Sequence, residues 1–346
     1  MLSVEEALDR ILSRVAVLGS EQVDLLSALG RVLAEPLIAH RNLPPWDCSA
    51  MDGYAVRADD TAAASAENPV DLEVAGRVPA GSVASRALGP GEAFRIFTGA
   101  PLPEGSDAVI PQEDVEARSG RPEAGREIEN ATVRIRRGVG PGECVRPLGE
   151  DVSEGETILD SGRSIRAAEI GLFASLGRSR VRVYRKPRVA ILSTGDEIVD
   201  LGGEPAPGKI INSNTYSLMA QVVEAGGDPI NLGIAADRPE AVEQRLKAGV
   251  AAADVLISSA GVSVGDYDVV RDALSRLGAR LHLWKVSMRP GKPVMFASLS
   301  GRPFFGLPGN PVSAMVTFEL FVRPAIRKMM GDRRLFRERI VARAAT

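Results

Sequence analysis

The most constraining feature of this chain is the alternation of short apolar runs with longer amphipathic segments over residues 188–330. Four runs rich in Val, Ile and Leu are typical of buried strands: Arg188–Ser193, Pro229–Ala235, Asp254–Ser259 and Leu281–Val286. Segments with helical spacing lie between them: Ser213–Ala225, Arg238–Ala252 and Tyr267–Leu277. Such alternation forms right-handed βαβ units, so it predicts a doubly wound parallel sheet with helices on both faces. A hairpin over Pro293–Ala297 and Pro303–Gly306 and a closing helix over Pro311–Met330 complete this α/β domain.

Residues 46–145 have a different pattern, in which short β-like runs are separated by Gly, Pro and acidic turns. The predicted strands are Tyr54–Arg57, Leu72–Gly76, Ala93–Phe97, Ala108–Pro111 and Thr132–Ile135. This pattern predicts a small β-rich domain, and it makes the chain multidomain, α/β plus β-rich. We expect Glu116–Ile128 to form an exposed hairpin loop, because this stretch is polar and contains Gly and Pro.

The flanking segments contain further predicted elements. Ser3–Glu6 has the pattern of a capping box, and the apolar spacing behind it predicts a first helix. The other predicted elements are a short helix over Val23–Leu29, a strand over Val32–Ala39, a helix over Ser164–Leu176 and a basic strand or linker over Arg178–Lys186. The end of the chain, Arg333–Ala345, has the pattern of one charged strand without a partner.

Charge and composition exclude several classes of protein. The chain has 42 Lys and Arg against 45 Asp and Glu, so we expect neither a nucleic-acid binder nor a protein of anionic membranes. No apolar run reaches the roughly 18 residues that span a bilayer, and the amino terminus lacks the pattern of a signal peptide. These observations predict a cytoplasmic protein. With 2 Cys and 2 His, zinc fingers, iron–sulfur clusters and Cys-x-x-Cys redox sites are excluded on ligand number.

The loops that follow the predicted strands are rich in Gly and hydroxyl groups. Ligands bind at the carboxyl ends of the strands in a doubly wound sheet, and Gly-rich turns before helices expose N–H groups to anions. We therefore expect a phosphate-bearing ligand there. The candidate binding residues are Ser193, Thr194, Gly195, Ser259, Gly261, Ser263, Gly265, Pro308, Gly309 and Asn310. The alternative is that Gly serves turn geometry and the polar residues cap helices.

Two familiar nucleotide-binding motifs are not supported. No Gly-x-Gly-x-x-Gly follows the first strand, which argues against a nicotinamide dinucleotide. Gly203–Ile210 has most of the P-loop spacing, but Ile210 replaces the hydroxyl residue that holds magnesium.

Charged residues near these loops suggest a metal and an oxyanion. Carboxylates follow the strand ends at Asp196, Glu197, Asp237, Asp266 and Asp268, and Asp52 lies in the β-rich region. Mg²⁺ binds one or two carboxylates together with phosphate oxygens and water, so these residues are candidate ligands. Asp237 has an alternative role as a helix cap. The cations Lys285, Arg289 and Lys292 surround one tight turn and could bind an oxyanion, or they could belong to a solvated loop.

Six ordered motifs resemble those of one known family. They are Ser49–Val56, Thr98–Pro103, Ser193–Glu197, Gly261–Gly265, Pro290–Pro293 and Gly306–Ser313. Together they resemble the molybdopterin molybdotransferase family, MoeA, whose animal relative is the E domain of gephyrin, over nearly the whole chain. The resemblance implies an enzyme of molybdenum-cofactor synthesis that inserts molybdate into adenylylated molybdopterin and releases AMP, using Mg²⁺.

The resemblance also implies a domain organisation and an assembly. Residues 1–45 and 145–180 would form a linking domain, 46–144 the β-rich domain, 181–330 the molybdopterin-binding α/β domain, and 331–346 the start of a truncated carboxyl-terminal β domain. Family members are homodimers in which the α/β domain of one subunit and the β-rich domain of the other share a cleft. Further partners would be molybdopterin adenylyltransferase and apo-molybdoenzymes.

The family motifs also assign roles to individual residues. The implied catalytic residues are Asp52, Glu197, Asp237, Asp268, Lys285 and Arg289, and the implied metal ligands are Asp52, Asp151, Glu197 and Asp268. Thr98 and Lys292 join the strand-end residues as binding residues. Two alternatives stay open, a molybdopterin adenylyltransferase-like enzyme and a non-catalytic scaffold like gephyrin.

Overall fold

A computed structural model describes residues 1–117, 131–260, 269–338 and 340–342. The chain divides into two compact units. The first unit comprises Met1–Pro36 and Leu159–Thr346, and the second comprises Leu37–Ile158. The predicted domain boundaries at residues 46, 145 and 181 stay predictions.

The described residues form 20 strands and eight α-helices. The strands are β1 Ser20–Asp24, β2 Leu37–Ile38, β3 Cys48–Ser49, β4 Gly53–Val56, β5 Val70–Val78, β6 Glu92–Ile96, β7 Ala108–Pro111, β8 Val115–Ala117, β9 Thr132–Ile135, β10 Val145–Arg146, β11 Thr157–Leu159, β12 Arg180–Tyr184, β13 Arg188–Thr194, β14 Ile198–Val199, β15 Ile210–Ile211, β16 Asp228–Ala235, β17 Val255–Ser259, β18 Arg280–Trp284, β19 Met295–Leu299 and β20 Arg302–Leu307. The α-helices are α1 Val4–Leu12, α2 Ala58–Thr61, α3 Ala167–Ser175, α4 Ser213–Ala225, α5 Pro239–Ala252, α6 Val269–Arg276, α7 Pro311–Thr317 and α8 Arg323–Met329. A π-helical segment, Phe318–Val322, joins α7 to α8, which confirms the long closing helix.

A six-stranded sheet with the order β16-β13-β17-β20-β19-β18 forms the centre of the first unit. The neighbours β16, β13, β17 and β20 are parallel, and β19 and β18 continue the sheet as antiparallel strands. Successive side chains of a strand point to opposite faces of the sheet. Accordingly, Val189 and Ile191 of β13 pack with Phe318 and Ile326 of the closing helix, while Leu192 packs with Leu246 of α5. Helices thus cover both faces, as the alternation predicts.

The second unit is built on another six-stranded sheet, with the order β7-β4-β6-β5-β9-β8. Most neighbours are antiparallel, and β5 and β6 are parallel. Buried apolar side chains of this sheet, such as Leu72, Phe94 and Ile110, form hydrophobic core clusters. All five predicted strands are present, so the β-rich character of this region is confirmed.

The amino-terminal segment differs in one element from the prediction. The capping box is present, because Ser3 and Glu6 each accept a hydrogen bond from the other's backbone N–H. The predicted helix over Val23–Leu29 is wrong: only a single 3-10 turn, Leu25–Ala28, is helical. The preceding residues form β1, whose backbone pairs with β12 in an antiparallel ladder. Those long-range hydrogen bonds outweigh the weak local helix preference.

The carboxyl-terminal tail has no strand in its described residues, 331–338 and 340–342, so the strand predicted there is not present in that part. Its arginines form ion pairs instead, Arg333 with Asp160 and Arg337 with Glu319. The predicted hairpin loop over Glu116–Ile128 lies mostly outside the described residues. Across the described residues, no helix is both long enough and apolar enough to cross a membrane.

Candidate active site

The carboxyl ends of the parallel strands meet at one edge of the sheet in the first unit. Thr194 is in register with Ala235 of β16, and Ser193 with Ser259 of β17. Ser259 is in turn in register with Leu307 of β20. The loops predicted to bind a ligand therefore begin next to one another at this edge of the sheet.

Ser193 stabilises the start of α4. Its buried hydroxyl lies 2.7 Å from Thr215 Oγ1 and donates to Asn212 Oδ1 at 3.2 Å. Asn212 is the N-cap of α4, because its side chain accepts from Thr215 N. Ser193 thus supports the cap of α4, and its predicted role in ligand binding stays a prediction.

Asn214 is a functional candidate that the sequence reasoning missed. Its Nδ2 donates to Ser259 Oγ at 2.9 Å and to the Gly309 carbonyl at 2.7 Å. It therefore links the loops after β17 and β20 to the first turn of α4. The sequence carries no clear signal for this role, because the partners of Asn214 lie far from it in sequence.

Several buried polar atoms at this edge have no hydrogen-bond partner among the described residues. They are Thr194 Oγ1, Ser258 Oγ and Asn214 Oδ1. Thr194 and Ser258 are nearly inaccessible, with exposed fractions of 1% and 0%. Buried polar groups are normally paired, so unpaired ones at a strand edge indicate where a ligand or ordered water completes the structure. Thr194 thus fits its predicted binding role, and Ser258 is a further residue that the sequence reasoning did not name.

A group of carboxylates surrounds the turn after β13. Gly195 has a φ of 144°, a backbone conformation that favours glycine, and the Glu197 carboxylate lies against it, 2.5 Å from where a Cβ would be. Asp196 and Asp237 accept hydrogen bonds from each other's backbone N–H at 3.2 and 3.3 Å. Lys209 donates to the Asp196 carbonyl. The turn therefore presents Glu197 beside the end of β13.

The electrostatic environment of Asp237 is unfavourable to its charge. Desolvation raises the pKa of this carboxyl, and the negative charges of Asp196 and Glu197 raise it further. A cation bound nearby would relieve this repulsion. The side chain is not the N-cap of α5: Arg238 occupies that position, and no side-chain cap hydrogen bond is made there.

The metal prediction receives no support as a ready-made protein site. Within residues 1–117, 131–260, 269–338 and 340–342, no group of three His, Cys, Asp or Glu side chains could hold a metal ion. Four predicted site residues, Gly261, Ser263, Gly265 and Asp268, lie outside the described residues. Asp266 lies outside them too.

The loop between β20 and the closing helix contains Pro308, Gly309 and Asn310. Asn310 is the N-cap of α7, where its Oδ1 accepts from Ser313 N at 3.3 Å. Gly309 lies against Ala260, since a Cβ on it would be 3.2 Å from the Cβ of Ala260. Pro308 connects β20 to this turn and is buried. The capping alternative is therefore correct for the Oδ1 of Asn310, while the Gly309 carbonyl accepts from Asn214 Nδ2.

The predicted cations lie in one loop of the first unit. Lys285 has a φ of 67°, is half-buried and lies over the Trp284 ring with 6.0 Å between Nζ and the ring centroid. Arg289 and Lys292 are exposed. Gly291 between them packs on Thr317 of α7, where a Cβ would lie 2.6 Å from Thr317 Cγ2. None of the three cations forms an ion pair with a described residue.

Asp52 and Thr98 form a pair in the second unit. Thr98 donates to Asp52 Oδ1 from its backbone N at 2.9 Å and from its hydroxyl at 2.8 Å. These bonds lower the pKa of the Asp52 carboxyl from its ordinary 3.8, so the group is a carboxylate at neutral pH. Oδ2 accepts no hydrogen bond from a described residue. Asp52 is exposed and therefore offers one carboxylate oxygen to a ligand.

Gly53 explains why this loop has its shape. A Cβ on Gly53 would lie 2.1 Å from the Ile110 carbonyl oxygen, so β4 can approach β7 only with glycine here. The adjoining Ser49 is fully buried and its hydroxyl donates to the Met51 carbonyl at 2.5 Å. The motif thus encodes the turn that holds Asp52.

The Asp151 carboxylate forms an ion pair with Arg146. Its Oδ2 accepts from Arg146 at 2.6 Å, and Arg146 also donates to Glu150 at 2.8 Å. Both acids hold the pKa of the Arg146 guanidinium above its ordinary value. The predicted metal role for Asp151 stays a prediction.

The fold defines a multidomain α/β protein with a doubly wound sheet, whose carboxyl edge has unpaired buried polar atoms. Residues 2–177 match the family described as MoeA N-terminal region (domain I and II), and residues 190–328 match the probable molybdopterin binding domain. The chain belongs to the MoeA family.

Individual relatives agree with this membership. The chain is 44% identical to molybdopterin molybdenumtransferase of a Nostoc species, over 96% of this chain and 75% of the relative. It is 39% identical to molybdopterin molybdenumtransferase of Bacillus subtilis, over 94% of this chain and 74% of the relative. A crystal structure of the molybdopterin biosynthesis MoeA protein from Pyrococcus horikoshii superimposes with a TM-score of 0.83 at 35% identity, covering 96% of this chain and 80% of that one.

Proposed function

We propose that this protein is a transferase of molybdenum-cofactor biosynthesis that inserts molybdate into adenylylated molybdopterin and releases AMP. The proposal rests on family membership together with one structural observation. Three buried polar atoms, on Thr194, Asn214 and Ser258, lack partners at the strand edge where ligands of doubly wound sheets bind. Relatives with this architecture are named molybdopterin molybdenumtransferase.

Each group at the strand edge would have a distinct task. Asn214 Oδ1 and the hydroxyls of Thr194 and Ser258 would hydrogen-bond the polar substrate. Lys285, Arg289 and Lys292 would attract molybdate and stabilise the charge that develops on the departing AMP. Thr98 would act in orienting Asp52.

Mg²⁺ fits this set as an ion held partly by substrate. It binds proteins through one or two carboxylates, with phosphates and water completing the octahedron. Asp52 has an unpaired Oδ2, and the exposed Glu197 carboxylate accepts no hydrogen bond from a described residue. Either carboxylate could bind Mg²⁺, which when bound would neutralise phosphate charge. Asp237 would sit beside it, and Asp268 and Asp151 stay candidates by family resemblance.

The proposal includes a homodimer that acts in the cytoplasm. By family resemblance, Asp52 of one protomer would act with the α/β site of its partner. This can be tested by mixing chains that carry Asp52→Ala with chains that carry Glu197→Ala. If the cleft is shared between subunits, one of the two sites in each mixed dimer has both wild-type residues, so mixing restores about half of the activity per mixed dimer. If each site lies within one chain, mixing restores no activity.

The function itself is tested by incubating the purified protein with adenylylated molybdopterin and Mg²⁺, with and without molybdate. Molybdate-dependent release of AMP would support the transferase. Conversion of molybdopterin and ATP into the adenylylated form would instead identify an adenylyltransferase. Folded protein that performs neither reaction would favour a scaffold. The Asp59→Ala variant, which changes an exposed carboxylate of α2, serves as the matched control for Asp52→Ala.

A further inference from the structure

Behind Asp52 lies an arginine that no part of the proposed mechanism uses. Arg95 belongs to β6, is 8% exposed and lies under the loop that bears Asp52. Its NH1 donates to the Gly53 carbonyl at 2.7 Å, and its NH2 donates to Gln112 Oε1 at 2.5 Å. A buried guanidinium that binds a loop carbonyl needs such partners, because an unpaired charge there would be costly.

Gln112 closes this network from the other side. Its backbone N donates to the Asp52 carbonyl at 3.0 Å, while its side chain accepts from Arg95. The carbonyls of two successive residues, Asp52 and Gly53, are therefore each held by one member of the Arg95–Gln112 pair. Thr98 fixes the Asp52 carboxylate itself.

Aromatic rings fix the orientation of the guanidinium. Arg95 lies 4.7 Å from the ring centroid of Phe97 and 5.2 Å from that of Tyr54. Arg77 lies over the same Phe97 ring at 4.9 Å, but it is exposed and makes no hydrogen bond to this loop. Cations over aromatic faces are attracted by the ring quadrupole, so the stack restricts the rotamer of Arg95.

We propose that Arg95, held by Gln112, Tyr54 and Phe97, is a positioning residue that sets the orientation of Asp52. Arg95 acts through the loop and need not touch substrate. That Asp52 takes part in molybdate transfer rests on the proposed function, whereas the network itself does not.

The first test measures hydrogen exchange in the full chain at the Gln112 and Thr98 amides, which donate to the Asp52 carbonyl and to the Asp52 carboxylate. Arg95→Met should speed exchange at both amides, and the milder Gln112→Ala, which changes an exposed side chain, should speed exchange at Thr98 to a smaller extent. Arg77→Met is the matched control: it removes a cation from the same ring and should leave both exchange rates unchanged. Exchange rates equal to those of the wild type in folded Gln112→Ala and Arg95→Met would overturn the proposal, as would an equal increase in Arg77→Met.

The second test measures kcat and KM for AMP release. Arg95→Met should lower kcat by about tenfold or more with little change in KM, because small misplacements of a reacting group are costly. Arg95→Lys should restore part of kcat, since it keeps the charge but cannot make both hydrogen bonds. A change confined to KM, or full rescue of kcat by Lys, would contradict positioning by the two hydrogen bonds of the guanidinium. If Asp52→Ala leaves AMP release unchanged, the role of Asp52 in the proposed function fails, and hydrogen exchange alone decides on the network.

Discussion

The Asp52 loop of the second unit and the strand edge of the first unit treat polar groups in opposite ways. At Asp52, donors from Thr98 hold a charged carboxylate in place and favour its ionised form. At the strand edge, neutral buried groups such as Thr194 Oγ1 are left unpaired, and the nearby Asp237 carboxyl is pushed towards its protonated form. One region supplies a preformed charge, and the other supplies an incomplete surface that a ligand would complete.

This difference shows what each region needs in order to work. The Asp52 loop depends on backbone geometry, so it should fail when the turn cannot form. The strand edge depends on a few side-chain atoms, so it should lose binding before it loses its fold. The following changes separate these two behaviours.

The largest effect is expected from Gly53→Ala in the second unit. The new Cβ would meet a backbone oxygen, Ile110 O, which cannot move aside without parting β4 from β7. We expect a loss of about 3 kcal/mol or more in the free energy of unfolding. Gly140→Ala is the control in the same unit, because nothing lies within 4 Å of its Cβ. If denaturant unfolding gives Gly53→Ala and Gly140→Ala the same free energy of unfolding, this explanation of the turn is wrong.

Asp52→Ala should have the next largest effect, on activity rather than stability. Because its carboxylate is exposed, unfolding should change by less than about 1 kcal/mol. AMP release should fall by about a hundredfold or more, as for other preorganised charged groups. Initial rates in parallel with Asp59→Ala measure this. An Asp52→Ala enzyme as active as Asp59→Ala would place Asp52 outside the site.

Asn214→Ala should affect both properties at the strand edge. It leaves Ser259 Oγ and the Gly309 carbonyl without their shared donor, which should cost about 1–3 kcal/mol. It should also weaken substrate binding, seen as a higher KM. Ser217→Ala serves as control, because it removes a hydroxyl from the same helix that donates to the Asn214 backbone carbonyl. Equal KM values for the two variants would remove Asn214 from the site.

The smallest effects concern pH, and they have opposite signs in the two regions. The folded-state pKa of Asp52 is lowered, so its stabilising contribution is present above its ordinary 3.8 and is lost as pH falls through the folded pKa. Asp52→Asn should therefore be less stable than wild type at neutral pH, and the gap should close in acid. The effect is about 0.5 kcal/mol or less after solvent screening.

For Asp237 the folded-state pKa is raised, so its ionisation destabilises the fold as pH rises from 3.8 through the folded pKa. Asp237→Asn should therefore be slightly more stable than wild type at neutral pH, by about 0.5 kcal/mol or less, and equal to it in acid. Urea midpoints measured from pH 3 to 7 would show the opposite trends. Parallel trends in Asp52→Asn and Asp237→Asn would contradict the contrast between the regions.

Much of the fold could be predicted because its pattern is local. The strand and helix periods of residues 188–330 and the capping box at Ser3 depend on neighbours in sequence. The strand β1 could not be predicted from its neighbours, since it exists through pairing with β12 over 150 residues away in register, Ser20 with Tyr184.

The site was only partly predictable for the same reason. That strand ends meet at one edge follows from topology, so Thr194 and Ser259 could be named in advance. Asn214 and Arg95 could not, because their roles depend on contacts with Gly309 and Gly53, which lie far away in sequence. Conversely, Asn310 resembles a ligand-binding residue in sequence, although its side chain caps a helix.

The most direct test of the central claim, that a preformed carboxylate and an incomplete strand edge serve one reaction, is molybdate-dependent AMP release by three proteins side by side. These are the wild type, Asp52→Ala from the second unit and Asn214→Ala from the first. We expect wild type to release AMP only with molybdate and Mg²⁺, Asp52→Ala to lose kcat, and Asn214→Ala to lose affinity. The claim would be contradicted if either folded variant released AMP as efficiently as the wild type. It would also be contradicted if the wild type released AMP equally fast with and without molybdate.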